Sequence, residues 1–449
     1  MMTFKRKAYE RLQAWMNEPK RKPLIIRGAR QVGKTTLVNH FGQEYDQFIA
    51  LNLEKERHRS LFETIPEVEN LIAAIFLQFN RSRDGGRTLH FIDEIQESPK
   101  ALQMLRYFHE EPPDVDIIAA GSLLEFALDE VRSFPVGRVE QLALHPLNFE
   151  EFLGAIGETR ALEALQTIPF PNHAFDRLHQ LFLTYARIGG MPEIVADFAE
   201  HRDLTRLPRL FDALWQSFKD DVEKYAKGRT ELNIIRHIID TAPYAEKRIT
   251  FGGFGQSNYK SREVGEAFRT LDRTRLIRLI YPTTNTKPPL VPNLTRKPRL
   301  QFLDTGLLNH AMGIQADLIA LSDLADVPRG HTLEHIVFQE LEAEHDSVAF
   351  KPAFWVRDKA NSSAEVDLVF QKGKHLIPIE VKSGKAGKLK SLHQFMLQCD
   401  HDLGLRLLAN HYSVEAAKIN SERSFRLVNL PYFLASKVPA YARLQNYSS

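Results

Sequence analysis

The sequence predicts an α/β protein of several domains, and three observations carry that reading. Strand and helix signals alternate through the first 130 residues or so, helical periodicity alone runs from about Val139 to Tyr225, and short strands return beyond Gly330. At 449 residues the chain exceeds one ordinary core, so about two to four domains are expected.

Taken in order, Lys5–Met16 reads as an amphipathic helix and Pro23–Arg27 as a short buried strand. Lys34–Gly42 has helical spacing and ends on Gly, and Gln47–Leu53 alternates like a strand. Pro66–Phe79 carries an apolar helical stripe, Thr88–Ile92 is a buried strand, Pro99–His109 a helix opened by Pro, and Val115–Ala120 a further apolar strand. Strands and helices alternating at this spacing predict a parallel sheet covered on both faces.

Composition narrows the class. The chain is 43% hydrophobic with 29 Phe, and 26% charged, which provides buried cores and excludes wholesale disorder. Mean hydropathy is −0.31, and apolar runs such as Leu71–Leu77 are too short to cross a bilayer, so no membrane partner is expected. No charged-then-apolar leader opens the chain. The single cysteine, Cys399, excludes an internal disulfide and a Cys-based zinc cluster, and fits a reducing, cytoplasmic location. The balance of 59 basic to 57 acidic residues, formally +2, by itself predicts no polyanionic partner.

Gly28-Ala29-Arg30-Gln31-Val32-Gly33-Lys34-Thr35-Thr36 fits G-x-x-x-x-G-K-[ST] between a strand and a helix. The glycines let backbone N–H groups face phosphate oxygens, and the helix N-terminus adds positive potential. Lys34 is placed to reach the β- and γ-phosphates of ATP, and Thr35 to hold Mg²⁺. The strand ending in Asp93-Glu94 fits the partner motif, with Asp93 on the metal and Glu94 as the base that activates water. The pair predicts a P-loop NTPase that hydrolyses ATP. After the strand at Val115–Ala120, Ser122 is either a γ-phosphate sensor or an ordinary turn or cap. Arg138, after the Pro135–Gly137 turn, is either an arginine finger to a neighbouring subunit of a homo-oligomer or a plain surface arginine.

Phe251–Leu300 holds ten Lys or Arg against three Asp or Glu. Ser261–Ile280 reads as a helix in which Arg262, Glu266, Arg269 and Arg273 form a polar stripe opposite Val264, Phe268 and Leu271. With a helix upstream at Ile235–Ile239, and Leu276–Ile280 and Leu300–Leu303 pairing as a hairpin, this reads as a winged helix-turn-helix able to contact DNA. The other reading is a packing domain with a solvated basic face.

Near the C-terminus, Ala364–Phe370 and Ile377–Lys382 read as two strands joined by a turn at Lys372-Gly373-Lys374. The period of two puts Glu380 and Lys382 on one face, and pairing brings Asp367 beside them. Two carboxylates and a lysine can hold Mg²⁺, or Mn²⁺, and activate water; Glu334 is a further candidate ligand, and Lys385, Lys388 and Lys390 add charge for phosphate. Edge strands with charges facing water are the alternative.

On these residues the chain resembles a prokaryotic family of AAA+-like ATPases with a C-terminal domain of unknown function, itself similar to the PD-(D/E)XK restriction-endonuclease-like fold. The resemblance rests also on His145–Phe152, Ile188-Gly-Gly-Met-Pro-Glu193 and Phe302-Leu-Asp-Thr-Gly306-Leu307, and covers nearly the whole chain. Ala120 departs from the family's pattern, which has Thr there. The resemblance implies ATPase chemistry. In nuclease relatives such as archaeal Holliday-junction resolvases, residues matching Glu334, Asp367, Glu380 and Lys382 bind metal and cleave DNA. The expected division is an ATPase core at 1–138, a helical subdomain at 139–230, a winged helix at 231–325 and a nuclease-like α/β domain at 326–449. The competing expectation is an ATP-gated scaffold or switch whose nuclease-like domain binds DNA or protein without cleaving it.

Overall fold

A computed structural model describes residues 4–111, 114–122, 124–130, 137–245, 247–315, 331–348, 350–359, 363–382, 389–421 and 423–444. Lys385 and Lys388, expected to attract phosphate, lie outside these residues. The chain forms two compact units: residues 1–146 with 273–275 and 345–349, and the remainder. Among the described residues no helix is long and apolar enough to cross a membrane.

The first unit is built on strands β1 (Leu24–Arg27), β2 (Gln47–Asn52), β3 (Thr88–Asp93), β4 (Asp116–Gly121) and β5 (Glu140–Ala143). They pair in the order β2-β3-β4-β1-β5, all parallel. β1, β3 and β4 are buried along their whole length, which is why they read as continuous apolar runs and not as alternating ones. Phe62, Ile72, Ile75, Leu102, Leu105 and Phe108, from the helices Glu56–Thr64, Val68–Gln78 and Pro99–Glu110, form one core with Ile49, Ile92 and Ala119 of the sheet. Full burial of each large apolar side chain contributes about 1.5–3 kcal/mol.

Two elements here escape the sequence pattern. β5 is four residues, Glu-Gln-Leu-Ala, whose types favour helix; it is a strand because β1 offers its free edge, with Leu24 opposite Glu140. The helix Glu56–Thr64 buries only His58 and Phe62, too few positions to register as a stripe.

The second unit contains the helices Thr159–Gln166, Phe175–Ile188, Pro192–His201 and Leu207–Glu223 within the stretch expected to be helical, then Arg229–Thr241 and Ser261–Thr274. The helix expected over Ser261–Ile280 ends at Thr274, because Ile277–Ile280 is drawn into strand pairing. An antiparallel hairpin joins β6 (Ile277–Ile280) and, beyond β7 (Pro282–Thr283), β8 (Arg299–Phe302). A second sheet runs β13-β14-β12-β11-β10-β9-β7, where β9 is Ala353–Val356, β10 Glu365–Lys372, β11 His375–Val381, β12 Leu403–Leu408, β13 Ser413–Lys418 and β14 Ser424–Pro431. β10 and β11 form the expected hairpin, β12 and β14 continue parallel to β11, and Trp355, Val366, Leu376, Phe395 and Phe425 close a core on one face.

Three motifs far apart in sequence meet inside this unit. Asp304 caps the helix Thr305–Ala311 by accepting from Leu307 N at 3.0 Å, and accepts from Gly190 N at 2.6 Å and Gln339 Nε2 at 3.3 Å. Leu147 N donates to Gly190 O, and Phe149 N to the buried Glu340. A side chain at Gly190 would place its Cβ 2.0 Å from Leu147 O, so only glycine permits this approach. Asp304 is wholly buried, and desolvation raises its pKa to about 6 despite the N–H groups facing it.

Asp304→Ala removes a cap and a buried acceptor and is expected to destabilise the fold by about 2–4 kcal/mol. The native state keeps the Asp304 proton up to about pH 6, whereas an unfolded chain loses it near about 3.9. Acidification between those values therefore favours the wild-type native state, and the gap to Asp304→Ala should widen from pH 7 to pH 5 in denaturant titrations. A gap that narrows would contradict the burial argument.

Candidate nucleotide site and carboxylate centre

The loop between β1 and the helix Lys34–Phe41 turns back on itself at Gln31 (φ 60°) and Gly33 (φ 93°), a left-handed residue that starts the helix. Arg6, buried, donates to Val32 O at 3.1 Å and to His145 O at 2.6 Å, which ties the loop to the chain beyond β5. Lys34 points back into the loop, with its Nζ on Ala29 O at 2.7 Å and Gly28 O at 3.1 Å. Burial lowers its pKa to about 8 against the attraction of Glu94 and Asp93.

Asp93 ends β3 beside β1's loop. Thr35 Oγ1 donates to Asp93 Oδ2 at 2.8 Å, so the two residues expected to share a metal are already in contact. Glu94 takes a left-handed conformation (φ 52°), and its Oε2 accepts from Gln96 Nε2 at 2.6 Å. Burial raises the pKa of both Asp93 and Glu94. Ser122 is buried directly after β4, whose partner is β1. Arg138 donates to Glu110 Oε1 at 2.6 Å on the surface of this unit. Sequence reasoning missed Arg6 and Arg275. The latter shares Glu125 with Arg27, at 3.2 and 2.8 Å, and its charge adds to the lowering of the Lys34 pKa. Nothing local in the sequence signals either residue, because each arrives by tertiary contact alone.

In the second unit, the register Leu368 to Ile379 sets Asp367 across from Glu380 at the next position. Lys382 Nζ bonds the Glu380 carboxylate, as the period of two requires. Glu380 Oε2 is buried and accepts no hydrogen bond from the described residues. Burial first, and then the Asp367 charge, push its pKa up to about 7. Glu334, in the helix His331–Ala343, joins the group through cations and not through a shared metal geometry. Lys247 Nζ lies 2.9 Å from Glu334 Oε1, 2.9 Å from Asp367 Oδ1 and 3.4 Å from Glu365 Oε1. Arg299 reaches Glu334 at 3.3 Å, Asp367 at 3.5 Å and Glu365, and stacks 4.2 Å over Phe354. Burial works against ionising Asp367, yet Lys247 and Arg299 outweigh it and its pKa is lowered. Among the described residues no three His, Cys, Asp or Glu side chains are arranged to hold a metal ion; here ammonium and guanidinium groups stand between the carboxylates. Glu365, Lys247 and Arg299 were not foreseen as members.

The parallel sheet, the phosphate-type loop and the Thr35–Asp93 contact define the first unit as a P-loop domain. Residues 20–153 match the family model described as AAA domain. Residues 329–433 match Domain of unknown function (DUF4143), and residues 179–318 match Domain of unknown function (DUF8612). No curated protein matches the chain. Among solved structures, the chain is similar to a Walker-type ATPase of Pyrococcus abyssi (14% identity over 69% of this chain and 96% of that one, TM-score 0.45). It is also similar to the ORC1 protein of Aeropyrum pernix in complex with DNA (16%, 71% and 94%, TM-score 0.30) and to AMPPCP-bound DnaA from Aquifex aeolicus (14%, 59% and 86%, TM-score 0.27). The AAA match spans the loop, Asp93-Glu94 and Ser122, so the N-terminal part of the chain is an AAA-type α/β P-loop domain.

ATP should restore full charge to Lys34 when its phosphates replace the Gly28 and Ala29 carbonyls. With the free-site pKa at about 8, binding at pH 8.5 takes up a proton in part, and affinity falls as pH rises beyond 8. Calorimetry in buffers of different ionisation enthalpy should show this uptake at pH 8.5 and none at pH 6.5. Equal heats in all buffers at pH 8.5 would count against it.

Proposed function

We propose that this protein is a Mg²⁺-dependent ATPase that acts on DNA. The observation that carries the ATPase reading is the contact between Thr35, in the first turn of the helix after β1, and the buried Asp93 at the end of β3, with Glu94 next to it. An oxygen-only donor pair suits Mg²⁺, which when bound neutralises charge on the β- and γ-phosphates. The chain's own part begins with Lys34, which exchanges two loop carbonyls for phosphate oxygens. Gln96 holds one oxygen of Glu94 and leaves the other to take a proton from water, and burial keeps that carboxylate a better base than an exposed glutamate. Ser122 is proposed as the γ-phosphate sensor, and Arg138 as the finger offered to a neighbouring copy in exchange for Glu110.

DNA contact is proposed through the helix Ser261–Thr274, within a winged-helix segment at 231–325. Much of the basic excess in Phe251–Leu300 is used internally: Arg299 is in the carboxylate centre, Arg278 pairs with Glu342, Arg275 with Glu125, Arg296 with Asp358 and Lys287 with Asp400. What supports the reading is exposure. Lys260, Arg262, Arg269 and Arg273 are exposed on or beside this helix, with Arg262 paired to Glu266 one turn on, a stripe suited to phosphate.

The 326–449 segment is proposed as a nuclease-like domain in which Asp367, Glu380 and Glu334 would hold Mg²⁺ or Mn²⁺ and Lys382 would stabilise charge on a phosphate. The orphaned Glu380 Oε2 fits that role. Such an ion supplies an activated water. A second reading, an ATP-gated scaffold whose nuclease-like domain is not catalytic, is favoured by Lys247 and Arg299 between the carboxylates.

Glu94→Gln should bind ATP normally and lose about 10²-fold or more in turnover; unimpaired hydrolysis would remove Glu94 from its role. Replacing Arg262, Arg269 and Arg273 by Ala should make the plot of log affinity against log salt for duplex DNA shallower by about 2–3. An unchanged slope would place DNA elsewhere. Branched, linear and single-stranded DNA with Mg²⁺ or Mn²⁺ tests cleavage: activity in the wild type that Asp367→Ala abolishes supports the nuclease, and no cleavage of any substrate favours the scaffold.

A further inference from the structure

The carboxylate centre contains its own counter-charge in full. Glu334, Glu365, Asp367 and Glu380 face Lys247, Arg248, Arg299 and Lys382, each cation within ion-pair reach of at least one of them. The formal sum is zero. A divalent cation added to that arrangement would bring an excess of two charges into a largely dehydrated site, where unbalanced charge is heavily penalised. Arg299 is almost wholly buried over Phe354, Lys382 follows β11 and bonds its neighbour two residues back, and Arg248 pairs with Glu365 Oε2 at 3.2 Å.

Lys247 differs in position. Its ammonium bridges Asp367 Oδ1 and Glu334 Oε1 at 2.9 Å each, between the two oxygens a shared metal would need. It comes from the segment after the helix Arg229–Thr241, outside the sheet that carries Asp367 and Glu380. Its side chain is 37% exposed. A cavity of about 470 Å³ opens beside it, lined by Lys247, Tyr244, Phe302, Met312, Glu334 and His335 among others. The ammonium therefore has both a solvent path and a space to move into.

Building on the nuclease-like reading of this centre, we infer that Lys247 is a displaceable internal cation that occupies the metal position of Asp367 and Glu334, so that a divalent ion and the Lys247 ammonium exclude one another. The buried Glu380 Oε2 accepts no hydrogen bond from the described residues while Lys247 is in place. Once Lys247 swings out, the remaining charges sum to one negative, and Asp367 Oδ1 and Glu334 Oε1 become available to an ion. Asp367 Oδ2 remains bonded to Val381 N at 3.0 Å in either state, so the carboxylate does not need to be rebuilt. Metal binding at this centre thereby becomes conditional on the position of a residue belonging to the proposed DNA-binding segment.

The test uses the full-length protein without nucleotide and Mn²⁺ as probe, with bound ion measured by electron paramagnetic resonance in the wild type, Lys247→Met, and each of these with Asp367→Asn. The Asp367-dependent class of bound Mn²⁺ should be at least tenfold tighter in Lys247→Met than in the wild type. A second readout needs no Lys247 variant: acetylation of Lys247 by a lysine-reactive reagent, followed by mass spectrometry, should rise with Mn²⁺ in the wild type and not in Asp367→Asn. Equal Asp367-dependent affinity with and without Lys247, or Lys247 labelling indifferent to bound Mn²⁺, overturns the exclusion while leaving the nuclease-like reading in place. If Asp367→Asn changes Mn²⁺ binding in neither background, these carboxylates hold no metal and both readings fall.

Discussion

A carboxylate taken out of water must be given N–H donors or a counter-charge, and three aspartates in this chain answer that demand in different ways. Asp304 is held by backbone and amide donors alone, and burial raises its pKa to about 6. Asp93 has a threonine hydroxyl and a nearby lysine, a lighter provision, and burial raises its pKa. Asp367 is surrounded by two full cations that hold it ionised. The first solution builds a joint, the second lies beside the phosphate-type loop, and the third encloses a carboxylate between cations.

The joint explains motifs that have no chemistry of their own. Leu147–Phe152, Ile188–Glu193 and Phe302–Leu307 are brought together by Asp304, Glu340 and the close approach of Gly190 to Leu147 O. Tyr185 completes the node, its hydroxyl 2.7 Å from Glu340 and 2.8 Å from Leu147 O. These polar groups are satisfied only in this one arrangement, which makes the node specify a fold more than it adds net stability.

The basic segment shows how a count of charges can mislead. Summed along the chain, Phe251–Leu300 looks like a polyanion-binding tract. In space, Arg278, Arg296, Arg299 and Lys287 each meet an acid from another part of the sequence. The Arg262, Arg269 and Arg273 stripe keeps its outward face, as its helical spacing had predicted. Periodicity thus located an exposed basic helix face that a count of charges did not resolve.

Elements whose pattern reflects their own burial were legible in the sequence: the apolar strands β1, β3 and β4, the amphipathic helices, and the hairpin from Glu365 to Val381. So were groupings of adjacent residues, because the mutual placement within Gly28–Thr36, Asp93-Glu94 and Glu380-Val-Lys382 follows from local spacing. β5 was not legible, since four helix-favouring residues become a strand only when β1 supplies the partner. Arg6, Arg275, Lys247 and Arg299 were not legible either. Each acts on residues distant in sequence, and a charged side chain carries no local mark of which opposite charge it will meet. The sequence by itself determined which groups this protein owns and the local frame that presents them. The tertiary structure decided which charges face one another, because pairing energy depends on distance and dehydration, and both arise only when the chain closes on itself.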